Sequence, residues 1–235
     1  MSFTAQLGEQ HADLFEAFWS HPFLRGLHDG SLPREPVIHY VGQDHQYLNA
    51  FIRCYGMGVA LSPDRDWMAW FHDQIRFLLE DEQHPHHVMC EAVGISYDAV
   101  RQEELGPSAQ AYVHHMEAAA RDSLGVLMAA LMPCPWTYIW AATRAMEEDP
   151  PAKDNPFRGW WEFYASDESQ QILADFRERT DALAEQAGPA ERERMARAFV
   201  RSCQHEVRFW EMAWTQETWA PPRAGVGEPA ALGAS

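Results

Sequence analysis

The stretch Val37-Ile38-His39-Tyr40-Val41-Gly42-Gln43-Asp44-His45-Gln46-Tyr47-Leu48-Asn49-Ala50-Phe51-Ile52-Arg53-Cys54-Tyr55 decides the fold class. Val37, Tyr40, Val41, Tyr47, Leu48, Phe51 and Tyr55 recur at i, i+3, i+4 and i+7, the stripe of an amphipathic helix rather than the alternation of a strand. One position on that stripe is wrong for a core, and it is Asp44. Residues 195–214 repeat the pattern with Met195, Phe199, Ser202, Phe209, Trp210, Ala213 and Trp214, and there Glu206 breaks it. Between them, Leu131-Met132-Pro133-Cys134-Pro135-Trp136 brackets a cysteine with prolines inside an apolar run. A buried carboxylate needs partners, because desolvating its charge is costly or shifts its ionisation instead. Singly, Asp44 reads as a satisfied buried acid, Cys134 as inert packing and Glu206 as half of an ion pair. Together, with Tyr112, Tyr138 and Tyr164 beside apolar helix positions, they predict one small aromatic cavity holding an acid, a thiol and an acidic anchor.

Outward from these segments the 3.6-residue period continues almost everywhere, and no strand pattern is long enough to compete. The spacing predicts helices over about 4–19, 34–61 and from Asp64 through Trp67, Trp70, Phe71, Ile75 and Leu78, with Pro85 splitting the last and Gly94 ending it. Ser96 reads as the cap of a short helix that ends at Gly106-Pro107, and Ser108 as the cap of a helical run to Met146, broken at Pro133–Pro135. Asp149 to Pro156 is a loop, and helices follow at about 157–164, 167–186 and 190–219. Residues 1–220 are therefore expected to form a single all-α domain. From Pro221 the Gly, Ala and Pro content predicts a disordered tail over 221–235.

Composition narrows the function. Lys and Arg number 18 against 35 Asp and Glu, a net charge of -17, which argues against nucleic acid and against an anionic membrane surface. No run of about 18 uninterrupted apolar residues appears, and Met1 to Gln10 lacks the basic-then-apolar order of a secretory signal. Cys54, Cys90, Cys134 and Cys203 have no metal-ligand spacing, so a reducing cytoplasm is the expected compartment.

The pieces His21-Pro22-Phe23, Gly30-Ser31-Leu32-Pro33, Gln43-Asp44 with Tyr47-Leu48, Leu131-Met132-Pro133-Cys134 with Trp136 and Tyr138, Trp161 with Tyr164, and Glu206 with Phe209-Trp210 resemble, in order and spacing, the TenA family. The resemblance covers roughly residues 10–219. This family, also called thiaminase II or aminopyrimidine aminohydrolase, has a Cys branch and a Glu branch, and Cys134 places the chain with the former. The resemblance implies a heme-oxygenase-like helical bundle without heme, a homotetramer, and no metal or other cofactor. It implies a hydrolase of thiamin salvage, converting aminomethyl-pyrimidine breakdown products to hydroxymethyl-pyrimidine, with thiamin itself a further substrate in some members. Carried over by motif, Cys134 is the nucleophile and Glu206 the acid/base. Asp44 accepts from the ring amino group, and Tyr47, Tyr112, Tyr138 and Tyr164 stack on or hydrogen-bond the ring. Pro135 departs from a position that is often aromatic in the family, and Pro85 bends a helix near the pocket.

Two other classes stand beside this one. Glu80 and His87, with Glu82, His84 or His86, have ligand-like spacing for a di-iron oxidase on the same fold, but residues 157–186 contain no histidine to complete it. The His84–His87 cluster is then read as a solvated, kinked helix edge. A non-catalytic pyrimidine binder or regulator is the other alternative, and the net charge of -17 sets it apart from direct DNA binding.

Overall fold

The computed structural model describes residues 1–80 and 83–220. The expected tail over 221–235, together with Glu82, lies outside the described residues. Among those described there is no strand, and thirteen helices follow one another: α1 (Phe3–Gln10), α2 (Ala12–Trp19), α3 (Pro22–Asp29), α4 (Arg34–Leu61), α5 (Arg65–Glu80), α6 (Gln83–Ala92), α7 (Tyr97–Val100), α8 (Pro107–Ala120), α9 (Leu124–Leu131), α10 (Pro133–Glu148), α11 (Arg158–Tyr164), α12 (Asp167–Gln186) and α13 (Pro189–Thr215). The fold is all-α, as the period predicts.

Helix α4 has the expected bounds and buries Val37, Tyr40, Val41, Asp44, Tyr47, Phe51 and Tyr55 along one face. Helix α13 does the same with Met195, Phe199, Ser202, Glu206, Phe209, Trp210 and Ala213, and packs against α9, α4, α8 and α10. Both polar exceptions are thus inside the bundle. Trp210 stacks on both Phe23 and Tyr40, with centroids 4.6 and 4.9 Å apart, tying α3 and α4 to α13.

Several elements differ from the sequence expectation. The short helix begun at Ser96 is a single turn, α7, that ends at Val100 rather than at Gly106, and Ser108 lies inside α8 instead of capping it, because Gly106 is the cap and Pro107 opens the helix. The single helix over 4–19 is two, because His11 leaves the helical region at φ -121, and each half then faces its own neighbour: α1 docks on α12, where Asp181 accepts from the Thr4 amide and hydroxyl, while α2 packs on α13. Helix α3 replaces part of what reads as a connection. The His21 side chain caps it by accepting from the Phe23 amide, Pro22 opens it, and Gly30 ends it in the left-handed region at φ 79. The run from 108 to 146 breaks at Arg121–Ser123 before it reaches the prolines. Ser123 recaps the chain there by accepting from the Val126 amide.

At Pro133 and Pro135 the hydrogen-bond ladder is interrupted but the backbone stays helical. Neither proline has an N–H to give the carbonyls four residues back, yet Met132 stays helical at φ -59, ψ -36. Leu124–Glu148 is long and apolar enough to cross a membrane, but 83% of its most apolar window is buried inside the bundle. It is a core rod, and the proline-flanked first turn of α10 carries Cys134.

Candidate active site

The first turn of α10 sets Cys134 in the wall of a cavity. Asp44, Leu48, Phe51 and Tyr55 from α4 line it with Gln74, Phe77 and Leu78 from α5 and Cys134, Pro135, Tyr138 and Ile139 from α10. Phe163 and Tyr164 from α11, then Ser169, Ile172 and Phe176 from α12, complete the wall. The lining is largely apolar and aromatic with a few convergent polar groups, as expected of a small-molecule site. Cys134 is half-buried, whereas Cys54, Cys90 and Cys203 are buried. Burial pushes the Cys54 and Cys90 thiols up to about 11 and raises the Cys203 thiol further, so these three stay protonated at neutral pH.

Tyr47, Tyr112 and Glu206 are not lining residues. They form a buried layer behind the wall, Glu206 being only 2% exposed. The Tyr112 hydroxyl donates to Glu206 Oε1 at 2.6 Å, and the Tyr47 and Tyr112 rings lie 4.9 Å apart. The layer is near enough to the wall for charge on Cys134 and Glu206 to bear on Tyr47, Tyr112 and Tyr138. All seven residues singled out in the sequence are therefore brought to one region of the bundle.

Glu206 is electrostatically displaced. Desolvation raises its carboxyl from the ordinary 4.5 to about 8, with charge on Asp44 adding to the effect and the hydrogen bond from Tyr112 opposing it. At neutral pH this group holds its proton. Its Oε2 has no protein hydrogen bond among the described residues, so its proton is not committed to a protein acceptor.

Asp44 is held differently, and by residues that the sequence reading did not single out. His86 Nε2 lies 2.7 Å from Asp44 Oδ2, and the Tyr40 hydroxyl approaches the same oxygen at 3.4 Å. Tyr40 in turn lies 3.2 Å from the Tyr138 hydroxyl. Behind His86, its Nδ1 is 3.2 Å from the Tyr97 hydroxyl, which is 2.6 Å from His45 Nδ1. Reading the whole His84–His87 cluster as solvated is thus corrected: His84 and His87 are exposed, but His86 is 2% exposed and faces α4. With Pro85 in its first turn, α6 turns inward and carries one imidazole onto Asp44. The one available signal was the placement of His86 three residues before Met89, on what becomes the buried side of α6.

No group of three or more His, Cys, Asp or Glu side chains is arranged to hold a metal ion among the described residues. Glu80, expected as a ligand in the di-iron alternative, is exposed.

Comparison with known proteins places this geometry in a family. Residues 9–216 match the model of the TENA/THI-4/PQQC family. A relative from Halalkalibacterium halodurans named aminopyrimidine aminohydrolase is 31% identical over 93% of this chain and 98% of its own. One of the same name from Staphylococcus saprophyticus is 28% identical over 94% of this chain and 97% of its own. Among solved structures, a TenA homologue from P. horikoshii OT3 superposes with a TM-score of 0.80 at 25% identity, covering 92% of this chain and 99% of that one. A protein from Silicibacter sp. TM1040, titled a TenA family transcription regulator, gives 0.80 at 27% identity over 91% of this chain and 96% of its own. With the family match running through every helix that builds the cavity, the chain belongs to the TENA/THI-4/PQQC family.

Proposed function

We propose that the protein hydrolyses aminomethyl-substituted aminopyrimidines, the breakdown products of thiamin, to the hydroxymethyl-pyrimidine, with release of ammonia. The observation that carries this reading is the pairing of a cavity-wall cysteine with a buried glutamic acid that keeps its proton to about pH 8. In this reading the Cys134 thiolate adds to the electron-poor ring, splitting one hard displacement into two easier steps. Glu206 gives its proton to a ring nitrogen as the sulfur adds; the ring electrons then break the bond from the methylene carbon to the amine, water adds at that carbon and its spare proton leaves with the amine as ammonia, and Glu206 takes its own proton back as the sulfur leaves. Asp44 accepts from the ring amino group. Tyr138 and Tyr164 flank the ring from the wall, and Tyr47 and Tyr112 hold Glu206 and the inner end of the pocket. The relatives named aminopyrimidine aminohydrolase support the same chemistry. Four free cysteines fit a reducing cytoplasm.

Incubating the purified protein with an aminomethyl-aminopyrimidine is expected to yield the hydroxymethyl product and ammonia in equal amounts, followed by chromatography and an ammonia assay. Return of the unchanged amine would overturn the reading.

The protein is further proposed to act as a homotetramer. Of its 10 Trp, for which an intersubunit role is a natural expectation, Trp70 is buried within its own chain against Phe71 and Phe176, with its indole N–H on Asp175, and so is not free to pack on another subunit. Trp67 and Trp140 remain partly exposed, the first beneath Arg179 at 5.1 Å and the second beneath Arg144 at 5.4 Å. Aromatic–arginine pairs of this kind are common at interfaces. Light scattering at micromolar concentration is expected to report four chain masses; a single chain mass would refute it.

A further inference from the structure

The hydrogen-bond chain behind Asp44 has a direction, and the direction bears on which ring the pocket accepts. Asp44 Oδ2 meets both neighbours, the imidazole Nε2 of His86 at 2.7 Å and the Tyr40 hydroxyl at 3.4 Å. Oδ1 has no hydrogen-bond partner among the described residues, and Asp44 lines the cavity. A neutral imidazole that donates from Nε2 must accept at Nδ1, and the Tyr97 hydroxyl lies 3.2 Å away to give that proton. Tyr97 then accepts from His45 Nδ1 at 2.6 Å. If His86 is instead the imidazolium, Tyr97 accepts from it and donates to His45, and Nε2 still donates to Asp44. Both arrangements put a proton on Nε2 and none on Asp44; the remaining one, a bare Nε2 accepting from Asp44, is the outcome that the histidine spectra below distinguish. His86, Tyr97 and Asp44 are all buried, so no water competes freely for these positions.

We infer that His86 is a specificity-determining positioning residue: it keeps Asp44 a pure hydrogen-bond acceptor, so that the pocket selects a pyrimidine bearing an amino group over the same ring bearing an oxo group. The inference rests on the proposed reading of the cavity as a pyrimidine site. A carboxylate with one oxygen saturated by His86 can offer the ligand only the lone pairs of the other. A ring amino group donates to it. A ring carbonyl in the same place presents lone pairs to lone pairs, and a site built to pair a donor rejects its acceptor counterpart strongly. Without the imidazole, a carboxyl group buried beside Leu48, Phe51 and Tyr55 gains by taking up a proton. A protonated Asp44 donates as readily as it accepts, and the discrimination falls.

The test measures binding and turnover separately. Dissociation constants for an aminomethyl-aminopyrimidine and for its oxo counterpart are measured by calorimetry on the wild type, His86→Leu and His86→Gln. The wild type is expected to favour the amino ring by about 10²-fold or more. His86→Leu is expected to shrink that ratio at least about tenfold, chiefly by binding the oxo ring better. His86→Gln, whose side-chain amide still donates to Asp44, is expected to retain most of it, a rescue that loss of packing alone would not produce. An unchanged ratio in His86→Leu, or an equal collapse in His86→Gln, overturns the inference. Should His86→Leu fail to fold, nitrogen-15 spectra of labelled histidine in the wild type decide: a proton on His86 Nε2 supports the inference, and a bare Nε2 overturns it. A protein that discriminates as described but releases no ammonia refutes the hydrolase reading alone, whereas one that binds neither ring refutes both.

Discussion

Cys134→Ser is expected to abolish hydrolysis of the aminomethyl-pyrimidine, lowering kcat by on the order of 10³-fold or more, as removal of a covalent nucleophile does. The expectation follows from where each thiol sits. Cys134 is the half-buried cysteine in the cavity wall, where Pro133 and Pro135 interrupt the helix ladder. The other three are buried in packing with their thiols pushed up, to about 11 for Cys54 and Cys90, so a thiolate at neutral pH is not available from them. A serine at 134 keeps size and polarity but needs an alkoxide, far harder to form than a thiolate. Thermal stability should change little, since a hydroxyl at a half-exposed position finds water or a polar neighbour. Serine at 54, 90 or 203 should leave turnover near wild type, because none of these lines the cavity. Steady-state ammonia release from the four single variants decides it. Full activity in Cys134→Ser with loss in Cys203→Ser would move the nucleophile to α13.

Asp44 and Glu206 were legible because each breaks an apolar stripe whose period is otherwise regular, and a buried acid on such a stripe has few physical explanations. Helix α4 was legible to its ends for the same reason, since a 28-residue stripe outweighs any local irregularity. The break at His11 was not, because both halves keep one apolar period and what separates them is the different partner each meets, α12 for one and α13 for the other. Helix α3 was hidden by its length: eight residues with Pro22 and Gly30 at its ends look like a turn until the His21 cap is seen. His86 was hidden by its context. Four residues from His84 to His87 with a proline among them read as a solvated edge, and only the packing of α6 on α4 tells which imidazole is turned inward. Motif spacing thus identifies groups that contradict their own helix, whereas a group made functional by a neighbouring helix leaves little trace in its local sequence. Tyr97 and Tyr40 belong to this second kind, since their hydroxyl partners lie on other elements or on a polar exception they do not announce.

Glu206→Gln is expected to lower kcat by about 10²–10⁴, the range for loss of one general acid/base, and at the same time to stabilise the fold at alkaline pH. The two effects share one cause. Glu206 has its carboxyl raised from 4.5 to about 8 chiefly by desolvation, against the hydrogen bond from Tyr112 at 2.6 Å. A group whose pKa is higher in the folded than in the unfolded chain binds its proton more tightly when folded. Its contribution to stability is therefore fully present below about pH 4.5 and is lost as pH rises to about 8. Within that window the loss runs at about 1.4 kcal/mol per pH unit, so above it the buried carboxylate costs the fold several kcal/mol. Glutamine has the same shape, can still accept from Tyr112 and never ionises. Melting temperatures of the two proteins should thus lie together near pH 5 and separate as pH rises, with the variant the more stable at pH 8 and above. The enzyme's own rate should fall as pH rises through about 8, where Glu206 gives up the proton that it must deliver. A variant less stable than the wild type at pH 9, or one with undiminished turnover, would show that Glu206 is an ordinary paired acid in the core and not the proton donor of the site.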